Sequence, residues 1–266
     1  MMHRAVRLLL IVTALSGCIV GEQEDDVGEF DAPIVAPNAL SPNALTPNAL
    51  TPNALTPNAL TPNGVAGAVT TALLDPGPAG EMSRMFMRYA VSCAFTPEQT
   101  FRFAWTDLVD EIHDEEYRGD LGLAPEWQTG PLPLAGQEWV TACLAAKANH
   151  YGVSVLISLR NPAHTVLDVT TMELSDYRVR EGAFWGNLFS SSPEIHSCYD
   201  ETSIETSRSL KRVCAAGYST PEGPAFCTGI QSAGSCAAAC AADSDPTMGY
   251  TRCGSGDRVI TTYLRD

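Results

Sequence analysis

Prolines stand at positions 37, 42, 47, 52, 57 and 62, a period of five that limits the folding of this chain more strictly than any other feature. Each proline removes a backbone donor and fixes φ, so the stretch can be neither a continuous helix nor a central strand. The first five open Pro-Asn-Ala-Leu units, and the series breaks off at Pro62-Asn63-Gly64. The Ser and Thr residues before the later prolines suit isolated helical turns as caps, but single turns do not hold alone. Upstream, Glu22, Glu24, Asp25, Asp26, Glu29 and Asp31 form an acidic run that should be solvated. Downstream, Gly64 to Gly80 includes Asp75-Pro76-Gly77-Pro78. Residues 18–80 are therefore expected to be a disordered tether. At ~3.1 Å per residue in an extended form, residues 37–63 alone reach roughly 80 Å. A globular domain is expected over 81–266.

A pentapeptide-repeat β-helix has the same period. That family places Asp or Asn directly before Leu, whereas here Ala precedes Leu and Asn precedes Ala. The order and the prolines both favour a linker.

Ahead of the tether, His3, Arg4 and Arg7 give a positively charged start, and Leu8 to Leu15 is apolar. That run falls short of the roughly 20 residues a bilayer-spanning helix needs, and it suits the core of a signal peptide. Leu15-Ser16-Gly17-Cys18 then resembles the lipobox of bacterial lipoproteins. The resemblance implies a signal peptide over 1–17, cleavage before Cys18, and lipid on the Cys18 thiol as the link to a membrane. Several acyl chains, each CH₂ worth ~0.8 kcal/mol when buried, make such an anchor stable. Ile19 follows where an inner-membrane retention signal would have Asp, so the bacterial cell envelope, and within it the outer membrane, is the expected location.

The formal charge of the whole chain is −15. Without Arg4 and Arg7 there remain 14 basic and 31 acidic residues, net −17. Such a chain is repelled by nucleic acid and by anionic head groups, so nucleic acid is not an expected partner.

Beyond residue 81, about 185 residues suffice for one core. Met82 to Cys93 carries apolar residues at helical spacing. Gln137 to His150 reads as the clearest helix, with Trp139, Val140, Cys143, Leu144 and Lys147 along one side and Gly152 as a stop. Thr100 to Trp105, Val153 to Leu159, Thr165 to Leu174 and Val259 to Leu264 read as strands. The expectation is a small, loop-rich, disulfide-stabilised α+β domain.

After Cys18 come eight cysteines: Cys93, Cys143, Cys198, Cys214, Cys227, Cys236, Cys240 and Cys253. An even number in an exported chain indicates disulfides. Cys93 and Cys143 lie far from the rest, on two expected helices, and are paired with each other here. The other six have 15 possible pairings, with Cys236 and Cys240 expected to reach separate partners. Zinc is disfavoured, because close Cys pairs are lacking and no His follows His196. No metal or cofactor is expected.

Catalytic signatures are absent from the sequence. The histidines of the mature chain, His113, His150, His164 and His196, do not form His-Glu-x-x-His, and Gly-x-Ser-x-Gly does not occur. His113 lies in the acidic run Asp110 to Glu116, which reads as solvated surface with some capacity for a cation. His150 reads as a helix-end charge. Asp243-x-Asp245 is too short for a calcium loop, and Cys253-Gly254-Ser255-Gly256-Asp257 has the wrong order for a serine-protease loop. Glu126, Glu138 and Glu181 are the carboxylates available to a glycosidase, but spacing selects no pair. Arg118-Gly119-Asp120 is a short triplet of chance frequency. Glu181 to Phe189 packs three aromatics between glycines. If exposed, Phe184, Trp185 and Asn187 would stack on a sugar ring or anchor a protein partner; if buried, they are core.

Met87-Arg88-Tyr89-Ala90-Val91-Ser92-Cys93, Leu121-Gly122-Leu123-Ala124-Pro125-Glu126-Trp127, Trp139-Val140-Thr141-Ala142-Cys143-Leu144 and Glu181 to Phe189 together resemble uncharacterised cysteine-rich exported proteins of myxobacterial type. The resemblance implies export and a disulfide framework, and it lends no catalytic residue. The leading expectation is an envelope-anchored lipoprotein presenting a binding module for a protein or glycan. The alternatives are an envelope hydrolase of polysaccharide or peptide, and a structural surface protein.

Overall fold

Alanine-rich stretches give helices that pack closely, and side chains of alternating polarity give half-buried strands. A computed structural model describes residues 35–37, 68–148, 155–210, 212, 217–220, 223–225 and 229–265. Its elements in order are β1 (Val35–Pro37), α1 (Ala68–Leu74), α2 (Pro78–Ala94), β2 (Thr100–Thr106), β3 (Ile112–Arg118), α3 (Leu134–Lys147), β4 (Leu156–Arg160), α4 (Thr171–Asp176), β5 (Val179–Asn187), β6 (Glu194–Tyr199), α5 (Ile204–Ser209), β7 (Tyr218–Thr220), β8 (Gly223–Ala225), β9 (Gln231–Ser235), α6 (Cys236–Ala239), β10 (Cys240–Ala242), β11 (Tyr250–Cys253) and β12 (Ile260–Leu264). The α+β class expected from the sequence is the observed one.

Six strands form the main sheet in the order β1-β4-β12-β5-β6-β9. All neighbours are antiparallel except β6 and β9. The short hairpins β2–β3, β7–β8 and β10–β11 stand apart from it. Helix α3 packs on β5, β12 and β6, and α2 packs on α3. Ala142, Ala145 and Ala146 keep α3 slim, and every residue from Trp139 to Lys147 is buried. Cys93 and Cys143 join the two helices with a Cα–Cα separation of 6.0 Å, the pairing expected from the sequence.

The domain begins earlier than Glu81. Leu73 on α1 is in the core, and the Arg84 guanidinium donates to the carbonyls of Leu73 and Asp75, both at 2.8 Å. β1 also lies within the stretch read as tether, and it pairs with β4 at an edge of the sheet, where Pro37 is tolerated. The Pro-Asn-Ala-Leu repeats after Pro37, Cys18, Cys214, Cys227, His150 and Gly152 lie outside the described residues.

The strand expected over Thr165–Leu174 is instead a short 3₁₀ turn at Thr165–Leu167 followed by α4. Thr170 and Glu173 form a capping box. The Glu173 amide donates to Thr170 Oγ1 at 3.3 Å, and the Thr170 amide donates to Glu173 Oε2 at 3.0 Å. These reciprocal bonds satisfy helix-start donors that a strand would leave for a partner strand.

Charged side chains are fixed deep inside. Glu181 on β5 and Arg212 have fully buried side chains and meet in two bonds of 2.8 Å. Arg212 also donates to the carbonyls of Ala148 (3.3 Å) and Ala146 (3.1 Å), which end α3. Glu181 accepts further bonds from Ser207 on α5 (2.9 Å) and Thr262 on β12 (2.8 Å). Arg160 donates to Ser158 Oγ and to the carbonyls of Thr247, Glu173 and Tyr177, with its guanidinium 3.8 Å from the Tyr263 ring centre. Lys147 donates to Ser92 Oγ at 2.8 Å, and burial pulls its ammonium below the usual lysine range.

Glu181→Gln leaves the Arg212 charge buried without a counter-charge. Urea unfolding should show a loss of about 3–5 kcal/mol, whereas Glu181→Leu with Arg212→Met should recover much of it. A loss below about 1 kcal/mol for Glu181→Gln would show that the pair does not hold the fold.

Candidate functional site

The β2–β3 hairpin has two different faces and an unusual tip. Its register pairs Phe101 with Tyr117, Phe103 with Glu115 and Trp105 with His113. With a period of two, these six share one face, which packs towards α2. Phe103 meets Tyr117 edge-on at 5.5 Å, and Trp105 stacks on His113 at 4.5 Å. Arg84 from α2 lies 3.5 Å from the Trp105 ring centre. Burial, followed by the charge of Glu115, pushes the Tyr117 phenol up to about 12 and keeps it neutral. On the opposite face the cross-strand partners Arg102 and Glu116 form an exposed 2.8 Å ion pair. The aromatic strand expected over Thr100–Trp105 is thus half of a hairpin, and the acidic run read as plain surface is the other half.

At the turn, Asp107 Oδ1 accepts from the amides of Val109 and Glu111, both at 2.9 Å. Asp110 adopts φ +64°, a left-handed conformation that Asp tolerates better than most residues. His113 Nε2 lies 3.0 Å from Asp107 Oδ2. That hydrogen bond, with the amides of Glu111 and Val109, holds the Asp107 carboxyl below its usual range. Asp107, Glu111 and His113 each offer a ligand atom within 4.8 Å of the others. The set combines carboxylate and imidazole donors at the hairpin tip, and Asp107 is already engaged.

The fixed turn and the first residue of β3 present three apolar side chains to solvent. Leu108 is 80% exposed, Val109 78% and Ile112 70%. Asp107, Asp110, Glu111 and Asp114 surround them in sequence. The candidate site residues legible in the sequence do not include these three. The available signal was the continuation of the period-two pattern from Phe101, Phe103 and Trp105 into His113, Glu115 and Tyr117, which leaves 107–111 as the turn.

Of the two readings of 184–187, the buried one is observed. Phe184 is 0% exposed and belongs to the main core; Trp185 is 6% exposed. Trp185 stacks on His196 at 5.5 Å and packs with Cys198, Cys236 and Cys253 in a smaller core. Asn187 donates to Gln137 Oε1 (3.1 Å) and accepts from the Phe189 amide (2.8 Å). β5 lies between β12 and β6, which explains the burial. Cys253 to Gly256 forms a tight turn in which Gly254 takes φ +56° beside Trp185, so it serves packing.

Three disulfides stand among the described residues. Besides Cys93–Cys143 they are Cys198–Cys236, with Cα atoms 4.9 Å apart, and Cys240–Cys253, with Cα atoms 4.0 Å apart. Cys236 and Cys240 thus reach separate partners, as expected. α6 spans only Cys236–Ala239, so Cys240 already belongs to β10.

The carboxylates considered for hydrolysis are dispersed in role. Glu181 is held by Arg212, and Glu126 is exposed. Burial pushes the Glu138 carboxyl up, opposed by Arg258. Arg118-Gly119-Asp120 is used internally. Asp120 lies 3.6 Å from Lys147 Nζ, and a Cβ on Gly119 would strike the Thr96 carbonyl. Asp243 and Asp245 accept bonds from the amides of residues two further on. No protein-family model, curated protein or solved structure matches the chain.

His113→Ala removes the strongest influence on Asp107. Carboxyl-resolved NMR titration should show the Asp107 midpoint moving up towards the ordinary carboxylate value. An unchanged midpoint would show that the turn amides alone hold it.

Proposed function

We propose that this chain is an envelope lipoprotein, anchored through lipid on Cys18, whose domain binds a partner with the β2–β3 hairpin tip. The observation that carries the binding reading is the exposure of Leu108, Val109 and Ile112 at a hairpin tip whose turn is held by Asp107. Isolated exposed apolar residues are ordinary, but three within one hairpin tip favour an interaction surface. The surrounding carboxylates suit a partner with an apolar pocket and a basic rim. The disulfides support export, because such bonds persist in oxidising compartments. No helix among the described residues is long and apolar enough to cross a membrane. The lipobox supports lipid at Cys18, Ile19 after it favours the outer membrane, and the proline repeat supports a spacer that extends the reach of the domain.

Two measurements test this reading. The intact mass of membrane-extracted protein should show acylation at an N-terminal Cys18; an unmodified cysteine or a retained leader would remove the anchor. A photo-crosslinking residue at position 108, introduced in the native host, should give a discrete adduct. The same residue at the exposed position 205 should not. Ile112→Asp should reduce the adduct roughly tenfold or more without changing unfolding, and higher salt should weaken it. Equal crosslinking at both positions would overturn the hairpin as the binding surface.

A further inference from the structure

The two disulfides beneath Trp185 touch each other. Cys198 Sγ lies 3.4 Å from Cys240 Sγ, although each is bonded to a different cysteine. The Sγ atoms of Cys198, Cys240 and Cys253 are all within 4.8 Å of one another. The fold enforces this proximity. β6 and β9 run parallel with Tyr199 opposite Ser235, which sets Cys236 beside Cys198. One turn of helix later, Cys240 pairs with Cys253 across β10 and β11. Cys198, Cys236 and Cys253 are fully buried, whereas Cys240 is partly exposed. A thiolate held against a disulfide sulfur has a high effective concentration for exchange.

We propose that Cys198, Cys236, Cys240 and Cys253 form a thiol–disulfide exchange site that takes electrons from a dithiol reductant. A reductant thiolate attacks Cys240 Sγ. The Cys240–Cys253 bond breaks, and Cys253 leaves as a thiolate and takes a proton. The second reductant thiolate attacks its partner sulfur in the mixed disulfide, which releases Cys240 as a thiolate and the reductant as a cyclic disulfide. Two electrons and one proton have then passed to the cysteine pair, and the reductant's second proton goes to solvent. The Cys240 thiolate next attacks Cys198 Sγ. A Cys198–Cys240 bond forms, the Cys198–Cys236 bond breaks, and Cys236 leaves as a thiolate and takes a proton from solvent. This second step is redox-neutral and moves the bridge on Cys198 from one end of α6 to the other. The site is independent of the hairpin and of the lipid anchor.

The test uses the full chain with Cys253→Ser, which leaves Cys240 without its partner. Free thiols are trapped in acid and labelled with a light maleimide. All remaining cysteines are then reduced and labelled with a heavy one, and fragmentation separates Cys236 from Cys240. The expected result at pH 8 is light label shared between Cys240 and Cys236, with a Cys198–Cys240 linkage detected. Light label on Cys240 alone, with Cys198–Cys236 intact, would overturn the proposal. If the variant does not fold, the wild-type chain is treated with less than one equivalent of dithiothreitol. Light label on Cys253 and Cys236 supports exchange, and equal label on Cys253 and Cys240 with none on Cys236 overturns it.

Discussion

The buried Glu181–Arg212 pair is the point at which otherwise separate parts of the domain meet. Glu181 belongs to β5 in the middle of the main sheet, and it also accepts bonds from α5 and from β12. Arg212 spans from that carboxylate to the last carbonyls of α3. Helix ends leave carbonyls without partners, and a buried helix cannot turn to water for them. A planar guanidinium with several donors meets both needs at once. Burying two charges is costly, and the arrangement holds because both oxygens of Glu181 and all three guanidinium nitrogens of Arg212 have partners.

Arg160 and Lys147 follow the same rule in different ways. Arg160 is paired mainly with backbone carbonyls beyond β4 and stacks on Tyr263. Lys147 reaches Ser92 and Asp120 from the buried side of α3. The interior therefore carries directional contacts that fix how helices sit on the sheet. The disulfides reinforce this at two places. Cys93–Cys143 ties α2 to α3, while the bridges near Trp185 hold a small second core rich in sulfur. Elements as short as α6 and β10 bury little apolar surface, so covalent links carry much of the constraint there.

The hairpin shows how a rigid base can support an exposed end. Its aromatic face is pinned by Arg84 and by the cross-strand stack of Trp105 on His113. The turn is then fixed by the Asp107 carboxylate. A flexible loop with the same apolar residues would lose more entropy on binding a partner.

Local chemistry was legible in the sequence wherever it was sufficient. Helical spacing located α2 and α3, alternation located β2 and β4, and isolation along the chain paired Cys93 with Cys143. The capping box Thr170-x-x-Glu173 was also written locally, and apolar content misread it as strand. Burial was not legible in the same way. Phe184 and Trp185 became interior because β12 and β6 flank β5, a fact of strand order rather than of the residues themselves. Glu181 looked like any carboxylate until Arg212, 31 positions later, was brought against it. The sequence by itself determined the periodicities, the cysteines available for bridging and the sites where proline forbids regular structure. Which faces were covered, which charges met and which disulfides came into contact was decided only by the tertiary structure, because those outcomes depend on pairings between residues distant along the chain.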